Sequence, residues 1–494
     1  MKKIRIASFL FPPLGLVLLW RAPQIPFLRK IFGTVGIALY SVIYAGGIIA
    51  LLVFTTGLQF EWIGPYLPVL TWHKTMPNYD AVEASRRTQS KMAAEPPPAI
   101  VKVQWPGFRG LHRDGHYDDY LIATQWPAEG LRPLWKEPIG GGYSSFAIAD
   151  GRAFTIEQRR DAEAVTAYDV QDGRELWATT YPTKFDEMIS GEGPRATPSF
   201  DDGRVYSIGG MGDLLCLDAK TGKEIWKLNI LTDNRADVPY YGMASSPLIV
   251  QGKVIVQAGG PNGRSVAAYN KLTGKPLWRA LDDPGAYSSP MLVELAGKEQ
   301  LLVVTDHRAV GLEIQDGALL WSTPWVVKQR NRNISQPVLL ATNRFMLSAG
   351  YGTGSEAVEI SRTGTGFEAK PLWHTTALKN KFTSSVFLRG YVYGLDEDIL
   401  VCLDAQTGER KWKDGRYGYG QVLLADDYLA GNDLIVLTGD GQLALVKANP
   451  DHYEELAHFQ AIEGKTWNHP AMFDGKILVR NAVQMACYDL RPGN

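Results

Sequence analysis

The chain has almost no cysteine: three residues in 494, and none before position 216. A disulfide-stapled scaffold is thereby excluded, as is haem attachment through Cys-x-x-Cys-His. Cys216, Cys402 and Cys487 each directly precede Leu-Asp or Tyr-Asp. They stand at one place in three separate repeats, which reads as small buried hydrophobes and not as a thiol or metal cluster. Excess charge is missing too, with 51 Lys and Arg against 52 Asp and Glu. Without a basic stripe there is no electrostatic footprint for nucleic acid. No Gly-x-Ser-x-Gly elbow offers a hydrolase nucleophile. His112 and His116 have metal-ligand spacing only on a helix, and Asp114-Gly115 between them makes a turn instead. Gly350-Tyr-Gly-Thr-Gly354 has no helix after it, so it reads as a hairpin and not a phosphate loop.

What the chain has is a recurring phrase: an Asp-like residue, a Gly-containing turn, then Trp four residues after the glycine. It runs Asp169…Gly173…Trp177, Asp218…Gly222…Trp226, Asn270…Gly274…Trp278, Glu313…Gly317…Trp321 and Asp404…Gly408…Trp412. A longer turn leads to Trp373, and a degenerate copy places Phe459 in the Trp position. Short alternating strands joined by Asp-Gly and Thr-Gly turns, repeating every ~40–50 residues, specify a β-propeller. The tryptophans are expected to pack neighbouring blades together and not to form a ligand cage. The last copy ends at Asp489-Leu-Arg-Pro-Gly493, one strand short, while Arg132-Pro-Leu-Trp135-Lys-Glu-Pro138 lies unpaired upstream. The expected fold is all-β: an eight-bladed propeller of four-stranded antiparallel blades over residues 105–494, closed by the strand that carries Trp135.

Residues 1–58 read as a membrane anchor. The main span, 31–58, carries no charge and exceeds the ~20 residues a crossing helix needs. The first apolar run, 6–20, is shorter and broken by Pro12-Pro13, and is open to reading as a kinked span, a re-entrant hairpin or an interfacial helix. No small-residue cleavage site follows, so the anchor is read as retained. Arg21, Arg29 and Lys30 precede the span, which puts that side in the cytoplasm and everything after residue 58 outside. Residues 59–104 form a juxtamembrane segment and linker, with 80–100 read as an exposed, partly extended tether. Trp105-Pro-Gly-Phe-Arg-Gly110 opens a turn-rich segment whose aromatic residues are expected to dock on the propeller.

The loops entering the innermost strands crowd the channel of a propeller, so their polar residues are the candidate site. These are Arg195, Tyr241, Tyr287, Arg332, Asn333 and His469, within Arg195-Ala-Thr-Pro198, Tyr241–Ser246, Tyr287-Ser-Ser289, Asn331-Arg-Asn333 and Trp467-Asn-His469; Tyr143-Ser-Ser145 is a further such loop. Their alternative role is to satisfy strand-end amides and fill the channel mouth. Arg195 and Arg332 suit carboxylate recognition.

The Asp-x-x-Thr-Gly-x-x-x-Trp repeats resemble those of the pyrroloquinoline quinone (PQQ) repeat propellers. That group holds the quinoprotein alcohol dehydrogenases and the propeller lipoprotein of the bacterial outer-membrane β-barrel assembly machine. The resemblance covers residues 105–494 and implies two alternatives. One is a scaffold whose loops bind envelope proteins or peptides, with no cofactor or metal, held at the inner membrane by its helix and facing the periplasm. The other is a dehydrogenase in which PQQ and Ca²⁺ oxidise an alcohol or sugar. Catalytic members show an adjacent Cys-Cys pair, which this chain lacks, and no catalytic or Ca²⁺-binding carboxylate can be matched here. The scaffold is the favoured expectation. The lipoprotein's lipidated cysteine is also missing, and a helix takes over the anchoring.

Overall fold

The computed structural model describes residues 2–56, 59–61, 69–71, 76–89, 103–328, 332–364, 366–427 and 431–493. The chain divides into an N-terminal helical unit and a propeller unit. In the first, Phe11 separates helices Lys2–Leu10 and Pro12–Arg21, the second opening on Pro12-Pro13, and each is too short to cross a bilayer. The third helix, Phe27–Thr56, is long and apolar enough to cross, and none of it is buried. It starts four residues before the expected span and includes Arg29 and Lys30 in its first turn; residues 57–58 lie outside the described set. Tyr40 and Tyr44 donate from this helix to the carbonyls of Phe9 and Leu10, both at 3.0 Å. They satisfy acceptors that a helix C-terminus leaves open, so the first apolar run is a helical pair folded against the third helix.

Among the described residues the second unit contains eight sheets of four antiparallel propeller strands, consecutive in the chain in seven of them, and two of the eight carry an extra strand from the lead-in. Blade 1 is built from Ala147–Ala149, Arg152–Arg159, Ala162–Asp169 and Glu175–Tyr181. Blades 2 to 7 follow in chain order with outer strands Glu224–Asn229, Pro276–Ala280, Leu319–Pro324, Gly366–Thr375, Arg410–Arg416 and Glu455–Gln460. Blade 8 takes Ala471–Phe473, Lys476–Arg480 and Gln484–Asp489 from the C-terminus, and its outer strand is Pro133–Pro138. The ring closes as the truncated last repeat implies, with Cys487 opposite Trp135.

Side-chain size explains the repeat. Each blade has a β-bulge between its third and fourth strands, just beyond the Trp position. The residue facing each Trp is small: Ala167, Cys216, Ala268, Gly311, Ala357, Cys402 and Cys487. The cysteines are therefore alternatives to alanine beneath an indole. All three are buried and free, and burial pushes Cys216 up to about 11 and Cys487 up to about 12. Six indole N–H groups then reach the next blade. Trp135, Trp177, Trp226, Trp278, Trp373 and Trp412 donate to the carbonyls of Val170, Ala219, Lys271, Ile314, Ala405 and Asn449, at 2.8–3.2 Å. Trp321 faces the blade with the longer turn, and its N–H is taken within its own blade by Gln300 Oε1. The turn glycine is required twice over. Gly222 sits at φ +71°, and a Cβ there would lie 2.5 Å from the Trp177 ring.

Blade 7 differs from expectation. The residue in the Trp register is Ala457, opposite Leu445, and Phe459 is two positions further along the same face. The large and small partners are exchanged across the pair. Trp126 from the lead-in packs edge-on against Phe459 at 5.4 Å, in the region where blade 8 has no full turn of its own.

The expected tether also differs. Tyr79–Gln89 is a helix lying on blades 8 and 1, while 90–102 lie outside the described residues. Arg86 bonds Glu175 (3.1 Å), the Pro138 carbonyl (2.9 Å) and the Tyr168 hydroxyl (3.2 Å), and Ser85 bonds Glu137 (2.7 Å). Only Val82 of its apolar residues is fully buried. Polar contacts dock it, so no hydrophobic period announces it in the sequence.

Candidate functional site

Two arginines place the lead-in segment across the propeller axis. Arg113 donates to the carbonyls of Ser246 (3.1 Å), Pro290 (3.0 Å) and Pro247, and to Ser199 Oγ (3.4 Å), at the inner strands of blades 2 to 4. Arg109 donates to Val422 O (3.2 Å) and Ser385 O (3.0 Å), on blades 7 and 6. Neither faces a carboxylate in these bonds, and burial pulls Arg113 down to about 9 and Arg109 to about 10. The segment divides the channel. Phe108, on one side, lines a cavity of about 300 Å³; His112, Asp114 and His116 line a separate one on the other.

The strand-entry hydroxyls explain how the Phe108 cavity is walled. The amide of Ser145 donates to Thr197 Oγ1, Thr197 to Ser246 Oγ, Ser246 to Ser289 Oγ, Ser289 to Gln336 Oε1, and Gln336 to Ser384 Oγ, all at 2.7–3.0 Å. Gln421 reaches the Trp467 carbonyl (2.9 Å), and Ser145 Oγ reaches the His469 carbonyl (2.6 Å). This belt runs from blade to blade around the axis. Two residues before each of its members stands a wall residue: Tyr143, Arg195, Ala244, Tyr287, Ile334, Phe382, Tyr419 and Trp467. Every inter-blade connection therefore contributes to one mouth.

Of the candidate residues, Arg195, Tyr241, Tyr287, Arg332 and His469 meet in this cavity. Asn333 does not. It stands three before its belt residue, turned into the blade interface, where it accepts from the Trp325 indole (2.9 Å) and donates to Thr305 O (2.8 Å). Asn331 lies outside the described residues. Tyr351, Lys381, Phe382 and Tyr419 belong to the site and were not among the candidates. The spacing from the strand-entry hydroxyl would have found Phe382 and Tyr419.

The mouth is aromatic and cationic. Arg195 lies 4.7 Å from the Phe185 ring, and Arg332 lies 5.3 Å from Tyr241 and 4.9 Å from Tyr351. Lys381 lies 5.1 Å from Tyr351 and 4.4 Å from Tyr419. Burial drives Arg195 below its usual value despite Tyr143 and Glu187. It lowers Lys381 too, against Glu397 and with help from Arg332. His469 packs edge-on against Phe108 at 4.8 Å, and burial with the Arg109 charge holds it well below the usual histidine value. It is a neutral wall.

Beside the mouth, Glu163 is buried between blades 1 and 2, accepting from Tyr181 OH (2.6 Å) and Gly210 N–H (2.9 Å). Burial, opposed by these bonds, pushes its carboxyl up from 4.5 to about 7. The folded state then holds its proton more tightly than the unfolded chain. Its contribution is full below the ordinary carboxylate range and is lost as pH rises towards 7. Glu163→Gln is expected to leave stability nearly unchanged near pH 4 and to raise it by about 2–3 kcal/mol at pH 8. Urea unfolding at the two pH values measures this, and an equal effect at both would refute it.

Among the described residues, no group of three or more His, Cys, Asp or Glu side chains is placed to hold a metal ion. Glu187, the carboxylate nearest Arg195, is taken by the amides of Ile189 (2.8 Å) and Ser190 (2.5 Å). The cations and aromatic rings of the mouth thus suit a carboxylate ligand.

Comparison with known proteins agrees with this architecture. The family model described as outer membrane protein assembly factor BamB matches residues 161–414. The protein of that name from Burkholderia pseudomallei is 24% identical over 327 residues, 62% of this chain and 74% of the relative. A quinohemoprotein alcohol dehydrogenase, ADH-IIG of Pseudomonas putida, is 31% identical over 165 residues, 32% of this chain but 22% of the enzyme. The crystal structure of BamB from Moraxella catarrhalis superposes with TM-score 0.54 at 16% identity, covering 74% of this chain and 99% of that one. With a family model spanning just over half its length and eight blades of matching construction, the chain belongs to the PQQ-repeat, BamB-type propeller family.

Proposed function

We propose that this protein is a protein-binding scaffold of the cell envelope, anchored in the inner (cytoplasmic) membrane by Phe27–Thr56 with its propeller on the periplasmic side. The observation that carries this reading is the rim of the mouth. Met188, Tyr240 and Val326 are 86%, 61% and 61% exposed, on the same inter-blade connections that supply Arg195, Tyr241 and Arg332. Apolar side chains around a polar, aromatic pocket are the composition of a protein-docking face. The basic residues before the span support the orientation, and the likeness to BamB supports envelope proteins or peptides as partners.

The test is photo-crosslinking in cells, with a photoreactive residue at Tyr240 or Met188 and, as control, at Asp202 on the opposite hairpin face. Discrete adducts with an envelope protein from the rim positions alone are expected. The stretch shared with quinohemoprotein dehydrogenases supplies the competing reading. Rim positions without adducts, together with dye-linked alcohol or sugar oxidation on adding PQQ and Ca²⁺, would establish it instead.

A further inference from the structure

The mouth is a blind socket that gathers cations among aromatic rings. Phe108 forms its floor, and the segment carrying Phe108 is pinned across the axis, with the second cavity beyond it. A closed socket of this kind admits the end of a chain and excludes a chain passing through. Its cations are placed for one anion. Arg332 and Lys381 lie against the same Tyr351 ring, at 4.9 and 5.1 Å from its centroid, so two like charges are gathered at one aromatic side chain. The acid beside them, Glu397, is 3.9 Å from Lys381. Other buried cations divide in two: Arg109 and Arg113 are also pulled down by burial but are held by backbone carbonyls, while Arg159 is compensated by acids. At Arg159, burial is outweighed by Glu157, Tyr168 and Glu175, and the guanidinium is held above its usual value. At Lys381 burial wins. A carboxylate between Lys381 and Arg332 would relieve their repulsion and make charge-assisted hydrogen bonds in a poorly hydrated place.

The walls define what accompanies that carboxylate. Ala244, Tyr287 and Ile334 line part of the wall, while Phe382, Tyr419 and Trp467 form a continuous aromatic surface, with ring centroids 4.8–6.1 Å apart. An apolar or aromatic side chain stacks there.

We infer that the socket binds the free C-terminal carboxylate of a partner polypeptide whose last side chain is apolar or aromatic, with Lys381 and Arg332 taking the carboxylate and Phe382, Tyr419 and Trp467 the side chain. This rests on the protein-binding reading above and names the ligand of the same site.

The experiment uses the full chain in detergent and a fluorescein-labelled uncharged peptide ending in phenylalanine, prepared as the free acid and as the C-terminal amide. Anisotropy is expected to show the acid binding at least about tenfold more tightly. Lys381→Met should abolish the preference and Lys381→Arg should keep it, with melting curves of both variants reported alongside. Equal binding of acid and amide, binding of neither, or a preference that survives Lys381→Met would each overturn the inference. PQQ saturating the socket and displacing the acid would overturn it in favour of a small quinone ligand. Rim crosslinks that persist when the peptides fail to discriminate would sink the socket alone and leave the scaffold reading standing. Loss of both would sink both.

Discussion

Replacing Trp135 with alanine is expected to destabilise the propeller by about 3–5 kcal/mol, while Leu134→Ala on the same strand costs under about 0.5 kcal/mol. The two residues are neighbours in sequence and opposite in environment. Leu134 is 50% exposed and Trp135 8%. Trp135 lies over Cys487, donates to Val170 of blade 1 at 3.0 Å, and covers Gly173, whose Cβ position is 2.5 Å from the ring. One side chain thus joins the last blade to the first. Its loss leaves a cavity at the seam of the ring and an unsatisfied carbonyl, and the seam is where a closed sheet array opens. Removing Pro133–Pro138 altogether exposes the edge of Gln484–Asp489 and should lower the unfolding midpoint further. Guanidinium unfolding followed by tryptophan fluorescence checks the contrast. Equal stability of the Trp135 and Leu134 variants would show that closure does not depend on this strand.

That seam was legible because its information is local. A turn glycine, an Asp-like residue and a Trp lie within nine positions, and a copy that stops at the glycine implies a strand supplied from elsewhere. The blade 7 offset was not legible, since exchanging Ala457 and Leu445 across a pair preserves the volume and erases the aromatic marker. Tyr79–Gln89 escaped for a related reason: its partners are Glu137, Glu175 and Tyr168, far away in sequence, and it has almost no apolar face. Of the site, Arg195, Tyr241, Tyr287, Arg332 and His469 were recognisable as polar or aromatic residues just before strand entries. Asn333 was misplaced because its place in the loop does not fix its direction: it turns into the blade interface to bond Trp325 and Thr305, while Lys381, also three residues before its belt residue, lines the mouth. Lys381 was hidden by its ordinary surroundings, Asn380-Lys381-Phe382, and acquires meaning only once Tyr351 and Tyr419 are brought around it.

The axial segment had the weakest sequence signal and supports the second large effect. Arg113→Met is expected to destabilise the protein by about 3–5 kcal/mol. Two terms compete. Removing a buried cation relieves the desolvation that pulls its guanidinium down to about 9. Against that, methionine strands the carbonyls of Ser246, Pro247 and Pro290, which point into the dry axis. Hydrogen bonds from a charged donor are worth about 1.5–3 kcal/mol each, so three of them outweigh the relief. The backbone agrees: Arg113 is held at φ +59°, a left-handed conformation costly for a side-chain-bearing residue, and the bonds to the three carbonyls hold it there. Arg113→Lys keeps the charge but cannot span the three acceptors with a fork, so it should recover only part of the loss. Because the same bonds hold the segment that carries Phe108, the effect extends to the socket. In an Arg113 variant that still folds, the floor is released and the preference for a free carboxylate end should weaken with it. A variant that loses stability but keeps the full preference would show that the axial segment braces the blades without shaping the socket.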